Sequence, residues 1–516
     1  MKRRHAVVLV IVVAVAVALF TVWQLRAHPY VRERVLAAIN ERFDSQVALE
    51  SLSIDLVPRP RASGTVLTLR HNGRTDVPPL ITIEDFAATA SVLGITGQPV
   101  TLSSITLNHL NIHMPPGGLN PGGNKPPDAV HAAHDERPSP LIIDEIVSRE
   151  ARLEIASRRP GRLPRVFEIH DLVMHDFGRP QGARFHAGIT NPIPRGRVET
   201  SGTFGPWHAD EPRLTPVRGD YTFRNADLNV IKGIGGVLSS VGRYSGILDR
   251  IEVEGQTETP DFSLDLAGQP VPLTTTYQAI VDGTNGDTWL ERVNARLGKT
   301  TINAKGAIVR TEQVKGRHIT LDVEIAGGEL EDLMRLAVKT ASPPLIGRVD
   351  LKTKLVLPAG EGDVLERLEL DGSFSLAQAT FANVDVQQKI TMLSERGRGD
   401  EHADGVGKSV VSRMSGQFTL RDGQLDFRQL TFGVPGAVVQ LAGTYHLRTE
   451  VMAFRGNLLL DASLADMTSG LKSLLVRMAQ PFFSRPGGGS RIPILVTGTR
   501  EHARFGLDRS RVLRRG

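Results

Sequence analysis

Cysteine is absent from the 516 residues. That excludes disulfide staples, thiolate catalysis and cysteine-ligated zinc, and leaves stability to burial and sheet hydrogen bonding. Aromatic residues make up only 5% of the chain, too few for the two girdles of an outer-membrane barrel. Neither sign of charge dominates: 61 basic residues stand against 56 acidic ones, spread along the length. With no RNA-binding signature either, nucleic acid is not an expected partner. No G-x-S-x-G elbow occurs, so a hydrolase of that type lacks its nucleophile.

Phosphate and metal motifs are equally thin. Gly407-Lys408-Ser409 matches the end of a P-loop, yet the glycine required five residues earlier is His402. The glycines at 233, 235 and 236 are too closely spaced for a dinucleotide fingerprint. His131 and His134 sit in a Pro/Gly segment with no scaffold to fix ligand geometry. His109 and His113 read as surface or edge residues of one strand face. The expectation is a non-enzymatic chain: no catalytic residue, no cofactor, no metal and no nucleotide.

What stands out instead is Ala6–Trp23, eighteen residues without a charged side chain. As a helix it spans about 27 Å, close to the ~30 Å hydrocarbon thickness of a bilayer. Lys2, Arg3 and Arg4 precede it, which keeps the N-terminus cytoplasmic and delivers everything after Arg26 to the far side. The apolar run exceeds the h-region of a signal peptide, so it reads as an uncleaved single-pass anchor.

The rest is punctuated by 51 glycines and 31 prolines, which favours many short strands joined by turns: a mainly β fold with a few helices. After an expected helix at Tyr30–Phe43, strands are expected at Val47–Leu49, Leu52–Leu56, Gly64–Leu69, Leu80–Ile83, Phe86–Ala90 and Ser103–Met114. Pro115–Pro140 has no apolar period and reads as a disordered loop. Strands resume at Leu141 and continue through Ile251–Gly255, with candidate helices at Leu228–Tyr244 and Leu330–Thr340. Leu368–Phe381 and Gly416–Phe432 read as strand–turn–strand units, the second bending at Asp422-Gly423. Val384–Ser394 is a candidate helix, Glu395–Ser409 a polar mobile stretch, Leu464–Phe483 an amphipathic helix, and Arg491–Gly498 a closing strand. Arginines cluster at 158, 159, 162 and 165, and again at 509, 511, 514 and 515. They read as a solvated loop and tail, with attraction to the anionic headgroups of a facing membrane as the alternative.

A degenerate unit recurs. Val293–Ile308 and Leu430–Tyr445 each read as an alternating strand, a glycine turn, another strand and a second glycine, while Ser104–Met114 and Ile143–Ile155 carry the strand-pair half. Many such hairpins in series suggest one long sheet; at ~4.8 Å per strand, some twenty strands extend about 100 Å, and open sheets that large curl. Alternation puts Phe374 and Leu376 on one strand face, Phe418 and Leu420 on another, and Leu425 and Phe427 on a third. These six are the candidate lining of an apolar groove.

In their order the parts resemble the AsmA-like family of envelope proteins. Pro29–Met114 is similar to the family's N-terminal portion and Leu368–Leu507 to its C-terminal portion. The turn regions Gly202–Trp207 and Gly242–Leu248 resemble a glycine motif of one subgroup. The resemblance implies an inner-membrane anchor followed by an elongated, curved, taco-like antiparallel β-sheet with an apolar inner groove in the periplasm. It also implies bridge-like lipid transfer: phospholipid as the partner, support of outer-membrane biogenesis, and no catalytic residues to carry over. The expected organisation is a cytoplasmic tip and anchor at 1–27, a first helix-and-strand block at 28–114, the Pro/Gly loop at 115–140, a middle β-rich region at 141–330, and a C-terminal region with amphipathic helix and basic tail at 331–516. The alternative is a scaffold or assembly factor for outer-membrane proteins, with sheet edges pairing client strands.

Overall fold

The computed structural model describes residues 45–508, apart from 56–59, 72–77, 92, 95–96, 115–138, 156–164, 209–210, 266–268, 312–313, 315, 338–342, 344, 383, 401–409, 463–488 and 500–501; of the first 44 residues it describes Glu33 and Ala37, both helical. The expected anchor Ala6–Trp23, most of Tyr30–Phe43, His131 and His134, Gly407–Ser409, the helix Leu464–Phe483 and the basic tail therefore lie outside the described residues. Among the described residues no helix is long and apolar enough to cross a membrane.

The chain divides into two units, one of residues 1–225, 241–254 and 280–287, the other of residues 226–240, 255–279 and 288–516. In the first unit nine strands pair in sequence order: β1 (Ser45–Asp55), β2 (Arg61–His71), β3 (Ile81–Ala90), β4 (Val100–Met114), β5 (Leu141–Ile155), β6 (Arg165–Phe177), β7 (Ala183–Pro192), β8 (Arg195–Phe204) and β9 (Pro216–Asp227). Because register partners share a face, one apolar row crosses the whole ladder. It runs Leu49, Leu67, Ile83, Leu110, Ala151, Ile169, Ile189, Val198, Phe223. Leu110, Ala151 and Ile169 in that row are buried in the unit's core.

The pairing is antiparallel at every step but one. β4 and β5 run parallel, which corrects the all-antiparallel expectation. The reason is chain length: 26 residues separate Met114 from Leu141, enough to carry the chain back to its starting end, whereas a tight turn would have forced a hairpin. Ser104–Met114 and Ile143–Ile155 are accordingly parts of single long strands, not strand pairs.

In sequence after β9 the chain forms β10 (Ile234–Gly235), β11 (Val237–Ile247), β12 (Arg250–Leu264) and β13 (Val271–Val281). The helix expected over Leu228–Tyr244 is therefore wrong beyond one short 3₁₀ turn at Leu228–Val230. Gly233 and Gly236 take φ of 102° and 121°, values outside any right-handed helix, and the segment after them alternates as a strand.

The second unit carries an eleven-strand antiparallel ladder: β14 (Thr288–Leu297), β15 (Thr300–Arg310), β16 (Arg317–Glu329), β17 (Leu345–Leu357), β18 (Glu369–Phe381), β19 (Ser412–Arg421), β20 (Gln424–Val434), β21 (Ala437–His446), β22 (Val451–Leu460), β23 (Ser490–Thr499) and β24 (Ala503–Leu507). Among the described residues three helices interrupt it: α1 (Leu330–Ala337), α2 (Val364–Arg367) and α3 (Val384–Gly397). The hairpin at Asp422-Gly423 forms as expected, with Gly423 at φ 71°. Leu368–Phe381 forms no hairpin and runs as one strand over Glu369–Phe381. Its Asp371-Gly372 lies mid-strand in register with Lys354 and Thr353, because ladder partners on both sides hold the segment extended. Bulges recur at Leu290/Val293, Ile325/Gly328, Ile346/Arg348, Leu376/Ala379 and Phe427/Leu430. Each adds twist and bends its strand, so this sheet is curved.

Candidate functional site: an apolar sheet face

Register fixes the composition of each face of the second sheet. One row across all eleven strands reads Val293, Ala304, Val323, Thr353, Gly372, Phe418, Phe427, Gly443, Phe454, Val496, Phe505. The next reads Ala295, Ile302, Ile325, Leu351, Phe374, Gly416, Leu430, Leu441, Gly456, Ile494, Leu507. In these two rows Thr353 is the single polar side chain, and its hydroxyl is spent on the Asp371 carbonyl at 3.3 Å. The opposite face alternates charges instead, as in Asp322, Glu324, Lys352, Lys354, Asp371 and Arg428.

All six candidate lining residues fall on the apolar face. Leu376 pairs with Met414, Leu370 with Leu420, Leu420 with Leu425, and Phe418 with Phe427. Phe374 lies 6.1 Å from Phe418 and 6.4 Å from Phe427 between ring centroids, and Phe427 lies 5.8 Å from Phe454. Leu376, Phe418 and Leu420 are buried, whereas Phe374, Leu425 and Phe427 are only half-buried. Phe454 is the member of the cluster that sequence reasoning missed; it stands directly across from Gly443. Each ring faces a glycine on a neighbouring strand: Phe374 Gly416, Phe418 Gly372, Phe427 and Phe454 Gly443. At Gly416 the missing side chain gives the Phe374 ring room to lie across the sheet.

Two helices cover one end of this face. In α1, Leu330, Leu333 and Met334 pack on Ile325, Val349, Leu376 and Ala379. The helix is tied down by the buried carboxylate of Asp332, whose Oδ2 accepts from the Lys299 N–H (2.8 Å), the Thr300 N–H (3.0 Å) and the Thr300 hydroxyl (3.0 Å). In α3, Ile390 and Leu393 pack on Val434, Ala437 and Leu460. Gln387 accepts from the Phe381 N–H at 2.9 Å and donates to the Val410 carbonyl at 3.0 Å, and the Ser394 hydroxyl donates to the Pro435 carbonyl at 2.6 Å. At the opposite strand ends sits α2, which buries no residue. There a hollow of about 430 Å³ lies among Leu365, Glu366, Asp422, His446 and Arg448. Arg448 reaches Glu366 at 2.9 Å and Asp363 at 3.3 Å.

The titratable groups elsewhere read as structural. On the polar face a hollow of about 640 Å³ is lined by charges that pair across strands. Lys352 meets Glu324 there at 2.9 Å, and that hydrogen bond raises the lysine above its ordinary value. In the first unit, burial pushes the Asp282 carboxyl up, against hydrogen bonds from the Thr284 hydroxyl (2.6 Å) and N–H (2.9 Å). His109 lies on the surface between Glu84 (3.5 Å) and Glu150 (3.1 Å), and His113 lies 3.6 Å from Glu154. Among the described residues no group of three or more acidic or histidine side chains is arranged to hold a metal. No family model, curated protein or solved structure matches this chain.

Proposed function

We propose that the apolar face of the second sheet shelters or conveys phospholipid acyl chains, in a protein anchored in the inner membrane with its body in the periplasm, and that it supports outer-membrane biogenesis without catalysing a reaction. The supporting observation is the pair of apolar rows, broken by Thr353 alone, half-buried over most of their length and covered by α1 and α3 at one end. Exposing an acyl chain of ~16 carbons to water costs about 12 kcal/mol, at roughly 0.8 kcal/mol per CH₂. A greasy face removes much of that cost with no specific polar contact. The cluster of Phe374, Phe418, Phe427 and Phe454 offers a broad apolar surface for a mobile chain, and the resemblance to AsmA-like proteins points the same way.

The test uses the full chain, with a photoreactive side chain placed at Phe427 on the apolar face or at Ser373 on the polar face. Irradiation in cells followed by mass spectrometry should show phospholipid attached at 427 and none at 373. Equal labelling at both sites, or polypeptide alone at 427, overturns the reading.

A further inference from the structure

Among the described strands β24 pairs with β23 alone. Phe505 pairs with Val496 and Leu507 with Ile494, so both continue the apolar face, yet Phe505 is 78% exposed and Leu507 53%. The Asp508 N–H donates to the Pro493 carbonyl at 3.0 Å. By the two-residue alternation of a strand, the N–H groups of Phe505 and Leu507 then point away from β23, toward the edge that no described strand covers.

On the opposite face the charge pattern changes at the same edge. Strands β16–β18 mix acids with bases there, but β21–β24 carry Arg455, Arg491 and Arg504 with no acidic side chain between them. All three arginines are exposed, and none forms an ion pair among the described residues.

We propose that the edge formed by β22–β24 docks against the headgroup layer of an anionic phospholipid bilayer. Phe505 and Leu507 enter as the apolar wedge, the three arginines meet phosphates, and the outward N–H groups donate to phosphate and ester oxygens. Charge decides between occupants. A second copy pairing through β24 would bring two sets of three exposed arginines onto one face, where the acid in step with them, Asp508, is buried at 3% exposure, whereas an anionic surface neutralises every one. This concerns where the sheet meets a surface, not what its apolar face holds, and it stands whether or not acyl chains occupy that face.

The absence of native cysteine makes the test clean. Leu507→Cys is labelled with an environment-sensitive dye in the full chain, held in phosphatidylcholine nanodiscs, and vesicles are added. Vesicles containing phosphatidylglycerol should brighten the dye and shift it to the blue, and pure phosphatidylcholine vesicles should not. The response should vanish in high salt, and R455Q/R491Q/R504Q should weaken the apparent affinity roughly hundredfold. The same dye at Ser373→Cys should stay silent. Silence at 507, an equal response to both vesicles, an unchanged triple variant, or a rise that follows protein concentration without vesicles each overturns the proposal.

Discussion

Phe374 and Gly416 are direct cross-strand partners on the apolar face, and a methyl group built at Gly416 would stand 2.9 Å from Phe374 Cε1 and 3.0 Å from the Gln429 carbonyl oxygen. The ring occupies the space that the glycine leaves. Gly416→Val should therefore destabilise the second unit by about 1–3 kcal/mol through forced displacement of the ring and strand. Gly416→Ala combined with Phe374→Ala should recover part of the loss of the single Gly416→Ala, because the two residues share one volume. Thermal unfolding of the four variants checks it; strictly additive losses would mean that the ring does not fill the glycine's space.

The covering of the helix-capped end depends on one carboxylate. Asp332 Oδ2 satisfies two backbone N–H groups and one hydroxyl, all on the β14–β15 turn. Asp332→Ala leaves the Lys299 and Thr300 N–H groups unmatched, while the Thr300 hydroxyl keeps the Glu329 carbonyl at 3.0 Å, a loss of order 1–3 kcal/mol. Hydrogen exchange should rise first in Leu330–Ala337 and in the 298–300 turn, ahead of the central strands. Unchanged protection in α1 would show that its apolar contacts alone hold it.

A pH dependence follows from Asp282. Burial raises its carboxyl in the folded protein, with the negative charges of Asp249 and Asp287 adding to the rise. The folded state then holds a proton that the unfolded chain has released. Stability should fall as pH rises from about 4, the ordinary aspartate range, through the raised folded value, and then level off. Asp282→Asn should flatten that slope. It should also lower stability at acidic pH, because its amide would face the donor amide of Asn285, which now bonds the carboxylate. Denaturant melts at several pH values separate the two effects; an unaltered slope in Asp282→Asn would assign the dependence elsewhere.

How much of this was legible in the sequence depended on whether the signal was local. Alternation at Phe418, Leu420, Leu425 and Phe427 placed those side chains on the correct face because a strand's period is fixed by its own pleat. The Asp422-Gly423 bend was equally local. The parallel step from β4 to β5 was not, since it depends on where a long segment lets the chain return. Asp371-Gly372 carries the same turn-prone pair as Asp422-Gly423, yet neighbours on both sides keep it extended. Phe454 escaped because its membership in the aromatic cluster rests on register with Gly443 and Val496, which no single segment encodes.

A charge set into the apolar rows tests whether their continuity matters for lipid. Phe427 is half-buried and bridges Phe374, Phe418 and Phe454. Phe427→Glu puts a carboxylate where an acyl chain would run, and an ion beside hydrocarbon without a partner is strongly disfavoured. Lipid transfer between donor and acceptor vesicles by the reconstituted full chain should drop roughly tenfold or more. Gln429→Glu adds the same charge two residues away, on the polar face, and should transfer as the parent does. Retained circular dichroism would show that the strands persist in both variants. If Phe427→Glu transferred lipid normally with its fold intact, the central row could not be the path, and acyl chains would have to travel elsewhere or not at all.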